Sequence, residues 1–159
     1  MSLAQSAVEQ LKAAQEFFNR STRNLREEDS TFVPVEGLMT TAQQVAHTAH
    51  TVRWFMQGAF RPEGFDHNWE EQMKVVMSYT SLAAAKAWFD REVDAAVQAV
   101  AGMSDAELSE ALPAGPVMGG QPRFNIFGAL TDHTAHHRGA LTVYARLKGI
   151  VPPMPYMEM

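Results

Sequence analysis

Apolar residues recur at helical spacing through most of the chain, and no stretch of any length alternates with the period of a strand. Leu3, Ala7, Leu11, Ala14 and Phe18 fall on one stripe and predict a first helix from about Leu3 to Leu25. "REEDSTFVPVEG" follows as a loop, with Pro34 and Gly37 as breakers. A second helix is expected from Thr40 or Thr41, either suited to an N-cap, to about Phe60 before Pro62. The segment from Phe65 to Tyr79 is ambiguous and is expected to contain a short helix. Ser81 can cap a third long helix ending near Gly102, and Ser104 with Glu107 has capping-box spacing for one or two further turns in "SDAELSEAL". "PAGPVMGGQPRF" reads as a turn-rich loop or a small hairpin. The last long helix begins near Asn125 and stops at Gly149, where "GIVPPMP" supplies a terminating glycine followed by prolines. The natural assembly is an all-α, four-helix bundle with one long crossover connection. With no repeat and no internal boundary, residues 1–159 are expected to form a single domain.

Composition narrows the function. At 159 residues and 46% hydrophobic content the chain can bury a real core without staples. A formal charge of −5 argues against nucleic acid or an anionic membrane as partner, since both demand a basic face. The N-terminal "MSLAQSAVEQLKAAQEFF" lacks a basic region followed by an apolar run, and no segment approaches the roughly 20 apolar residues that span a bilayer. A cytoplasmic location is the expectation. The sequence contains no cysteine, so a metal must be held by imidazole, carboxylate or water. Thiol chemistry, if there is any, must use a thiol brought by the substrate. The ten methionines are expected to be core filler.

Three of the six histidines crowd into "TDHTAHHRGA". His133 and His137 are four apart on a helix, so both rings can reach one ion. They also lie on the apolar stripe of the last helix, with Ile126, Ala129, Leu130, Ala140, Tyr144 and Leu147. Two inward imidazoles need partners, because a buried polar group left unsatisfied is costly. His136 falls at the edge of that stripe. On the second helix "AQQVAHTAHTVRWF" offers His47 and His50, with Trp54 on the same side, opposite Val45, Ala49, Val52 and Met56. That helix has two faces wanting cover, and periodicity alone does not say which meets the bundle centre. The competing reading makes all these histidines satisfied core residues. No glutamate precedes a histidine by three, as a carboxylate-bridged di-iron site needs, and His-Glu-x-x-His is absent. Three imidazoles with open positions would suit a site built for water or substrate.

"HTAHHRGAL", "QQVAHTAH" and the ending "RLKGIVPPMPY" together resemble the DinB/YfiT-like family, in helix order as well as spacing. The resemblance implies a four-helix bundle, often a homodimer, with one divalent metal ion per chain held by three histidines. Carried onto this sequence the ligands are His47, His133 and His137, with His50 the competitor one turn from His47. Zinc or nickel comes first among the metals imidazole suits, with iron a further option. Family members of known chemistry use low-molecular-weight thiols, which implies a metal-dependent enzyme activating such a thiol for S-transfer to a small-molecule substrate. A hydrolase using water activated by the ion is the alternative, as is a non-catalytic metal- or ligand-binding stress protein. Arg138 is either a structural partner of an acid or an anchor for a substrate carboxylate or phosphate. Asp132 is a candidate to orient a ligating histidine, although it points roughly 100° away from His133 around the helix. Trp54 and Tyr144 read as core or pocket wall.

Overall fold

The computed structural model describes residues 1–157. It is helical, with α1 at Leu3–Thr22, α2 at Thr41–Phe60, α3 at Trp69–Met77, α4 at Leu82–Ala101, α5 at Asp105–Ser109 and α6 at Asn125–Leu147. Caps set the starts. Ser2, Thr40 and Ser104 each close a capping box with Gln5, Gln43 and Glu107, and Ser81 accepts from the Ala84 amide. The end of α6 is a Schellman turn: Gly149 adopts φ 76°, its N–H donates to Arg146, and the Ile150 N–H donates to Ala145. Only glycine takes that backbone without strain. α1 stops three residues short of the expected Leu25, because the chain turns there through a Leu25 N–H to Thr22 bond. Leu25 is buried all the same. The "PAGPVMGGQPRF" loop closes as a hairpin-like turn on a single Ala111–Pro122 bridge, flanked by a Leu112 N–H to Gln121 bond of 2.7 Å.

Side-chain contacts give the helix directions. The Arg138 guanidinium covers Phe17 and Asn24 reaches the Val151 carbonyl, so α1 and α6 run parallel. Gln15 and Asn19 bond Asp90 while Lys86 bonds the Thr22 and Leu25 carbonyls, so α1 and α4 are antiparallel. Gln44 meets His137 and Met39 meets Tyr144, so α2 opposes α6. His50 meets Trp88, and Met56 and Phe60 share a cavity wall with Ala95, Ala99 and Met103, so α2 and α4 run the same way. Parallel neighbours that follow one another need a long return. The segment from Arg61 through α3 to Ser81 is that crossover.

Phe18, Phe89, Phe127, Leu130, Val45 and Val52 fill the centre, with the Phe18 and Phe89 rings 4.6 Å apart. Val45, Ala49 and Val52 settle which face of α2 meets the core. The opposite face, which carries Trp54, is covered by the crossover: Trp54 packs on Phe65 and Trp69 and donates its indole N–H to the Asp66 carbonyl at 2.7 Å. Both faces of α2 are therefore covered within one chain. Two expectations change. Leu147 is 62% exposed because it lies on the outward face of α6, one turn from the exposed Val143, and among the described residues no methionine is fully buried. Met39, Met56, Met73, Met103 and Met118 pack at the rim of the core instead. No described helix is long and apolar enough to cross a membrane.

Candidate metal centre

α2 and α6 bring His47, His133 and His137 to one point. The Nε2 atoms of His47 and His133 are 3.2 Å apart, as are those of His133 and His137. Among the described residues these three form the one group of histidine, aspartate or glutamate side chains able to share an ion, with ligand atoms all within 4.8 Å. Two of the three spacings are those of ligands on a shared ion. With metal–nitrogen bonds of about 2.0–2.1 Å, two imidazole nitrogens on one ion sit about 3.3–3.4 Å apart in a tetrahedron and about 2.9 Å apart in cis octahedral positions. The residues present fit a divalent metal.

Burial prepares the rings. His137 is 8% exposed, while His47 and His133 are half-buried. Desolvation is the main reason the His133 imidazole is pushed down to about 4 and that of His137 to about 3. Nearby histidines add to it: His47 and His136 for His133, and all three neighbours for His137. His47 is lowered too, by burial first and then by His136. Near pH 7 all three are neutral and can offer lone pairs.

His137 is held from behind. Its Nδ1 lies 2.5 Å from Gln44 Oε1, and the Gln44 amide donates to the Tyr144 hydroxyl, which donates to the Met39 carbonyl at 3.0 Å. By contrast, Nδ1 of His47 and of His133 is buried without a hydrogen-bond partner. Thr51 closes one side, its hydroxyl donating to the His47 carbonyl at 3.0 Å. Gln44 carries no signal in the sequence analysis. It stands three residues before His47, and Tyr144 seven after His137, spacings that put each on the face of its neighbour.

The remaining candidates spread out. His136 is exposed and its ring centroid is 4.9 Å from that of His137, at the rim of the cluster. His50 faces the Trp88 ring and lines a different cavity of ≈ 260 Å³ with Arg53, Trp54, Gln72 and Trp88. Arg138 turns toward α1, its guanidinium over the Phe17 and Tyr156 rings, and Asp132 is exposed. Trp54 belongs to the crossover packing described above.

A helical bundle presenting three histidines for one ion is the class that fold and site define. Residues 10–141 match the DinB superfamily, and the chain belongs to it. Among curated proteins no relative matches the chain.

Proposed function

We propose that the protein is a metal-dependent enzyme that activates a low-molecular-weight thiol for transfer to a small electrophile, with His47, His133 and His137 holding one divalent ion, zinc or nickel before iron. The observation that supports it is the convergence of three neutral Nε2 atoms on one point with no carboxylate among them. Such a set leaves at least one position for an exogenous ligand. When bound, a divalent ion supplies Lewis acidity that brings the pKa of a coordinated thiol toward neutrality.

The chain's own groups do the positioning. α2 and α6 hold their imidazoles from opposite sides, Gln44 aims His137, and burial keeps all three rings unprotonated. No cysteine in the sequence competes for the ion or the electrophile. His136, exposed beside the cluster, is assigned to the approach of the substrate. A homodimer is part of the same proposal, supported by Val143 and Leu147, apolar and exposed one turn apart on α6.

The test is elemental analysis of tag-free protein, followed by turnover of a general electrophile such as 1-chloro-2,4-dinitrobenzene with and without added thiols. Thiol-dependent, chelator-sensitive turnover is expected. Bound metal with no turnover under any thiol would leave a non-catalytic binder, and ester hydrolysis without thiol would favour activated water.

A further inference from the structure

We infer that Gln44 is a positioning residue that fixes the tautomer of His137, and that Tyr144 fixes the orientation of Gln44. The chain of bonds starts from an atom with no choice. The Met39 carbonyl can only accept, so the single proton of the Tyr144 hydroxyl, 3.0 Å away, is committed to it. The hydroxyl then offers Gln44 only a lone pair, and the Gln44 Nε2 donates to it. That orients the amide: Oε1 faces His137 Nδ1 at 2.5 Å. An amide oxygen only accepts, so Nδ1 carries the proton of the neutral ring and Nε2 is left with its lone pair. That lone pair points into the cluster, 3.2 Å from His133 Nε2.

The path is buried. Gln44 is 9% exposed, Tyr144 4% and His137 8%. The Tyr144 ring is itself pinned by the edge of Phe32, with centroids 5.9 Å apart and planes at 87°. Free histidine prefers the opposite tautomer, with the proton on Nε2, which cannot ligate through that atom. Gln44 thus prepares His137 as a ligand before any ion arrives. The neutral amide does here what a carboxylate does in carboxylate–histidine–metal triads. His47 and His133 have no such partner, so His137 is the preorganised arm of the site. The consequence for affinity rests on the proposed metal site; the tautomer does not.

The experiment uses full-length protein labelled with ¹⁵N-histidine, read first without metal. Imidazole ¹⁵N shifts should show His137 with a protonated Nδ1 and a bare Nε2, and Gln44→Met should move it toward the Nε2–H form. Zinc affinity by competitive titration should fall about 10–100-fold in Gln44→Met. Gln44→Glu, which keeps the acceptor, should stay within a few-fold of wild type or exceed it. Tyr144→Phe, which frees the amide to turn, should fall between them. Circular dichroism identifies any variant that fails to fold, and Gln44→Glu and Tyr144→Phe then carry the comparison. His137 in the Nε2–H form in the wild type overturns the inference, as does unchanged zinc affinity in a folded Gln44→Met whose tautomer has switched. A wild type that binds no zinc but shows the expected tautomer shift overturns the metal reading alone.

Discussion

His47 Nε2 and His133 Nε2 stand 3.2 Å apart, joined across the α2–α6 seam by residues 86 positions apart in the chain. Neither helix holds the set alone, so each histidine is expected to be needed. His47→Ala, His133→Ala and His137→Ala should each reduce zinc or nickel affinity by more than about 100-fold, beyond the usual 10–100-fold for losing an outer partner. His136→Ala and His50→Ala should change affinity by only about a few-fold, since one ring is at the rim and the other faces Trp88. Isothermal titration of the five variants checks this. A loss at His50 matching that at His47 would mean that α2 is rotated from the geometry described.

Gly58 makes a different kind of prediction, about the cover over α2. A Cβ built there would run into the Phe65 ring, which is boxed in by Trp54 and Phe55. Gly58→Ala would gain about 1 kcal/mol of helix propensity, yet overpacking of this sort costs about 1–3 kcal/mol. With Phe65 confined, the clash should win and the melting temperature should drop. In a Phe65→Leu background the penalty should shrink, which a double-mutant cycle reads directly. An additive cycle would show that Phe65 does not rest on Gly58.

The helix starts were legible because they are written locally: Ser104 with Glu107 has capping-box spacing, and of Thr40 and Thr41 it is Thr40 that caps α2, while the Ser2 cap of α1 is seen only in the structure. The pairing of His133 with His137 was legible for the same reason, being one turn of one helix. What the sequence left open on α2 depended on the crossover, which lays Phe65 and Trp69 against Trp54 and so covers the face that periodicity could not place. The Gln44–His137 bond joins residues 93 positions apart, and a glutamine on a half-polar face advertises nothing until α6 is docked beside it. Leu147 misled because it falls outside the arc of α6 that Leu130, His137, Leu141 and Tyr144 bury, one turn from the exposed Val143.

Val143 and Leu147 offer a test of assembly. An apolar pair exposed one turn apart on α6 should contribute to the proposed homodimer interface. Leu147→Glu with Val143→Glu should weaken self-association without changing the fold, because neither side chain belongs to the core. Sedimentation velocity at micromolar concentration decides it: dimer in the wild type and monomer in the double variant is expected. A wild-type monomer across that range would remove the homodimer from the proposal.

The depressed histidines also set how the metal-free protein responds to acid. Burial holds His133 at about 4 and His137 at about 3, with His47 lowered as well. In the unfolded chain the same imidazoles titrate near about 6.5. As pH falls, the unfolded state therefore takes up protons first, and stability falls with it. The contribution of the neutral rings is whole above about pH 6.5 and declines below it, the decline ending only where the folded rings protonate. The melting temperature of metal-free protein should accordingly drop between about pH 7 and pH 5, and a His133→Gln, His137→Gln variant should show a flatter profile. Bound zinc should steepen the wild-type dependence further, because protons compete with the ion for the same lone pairs. A wild-type profile no steeper than that of the double variant would show that these rings are not desolvated in the folded protein.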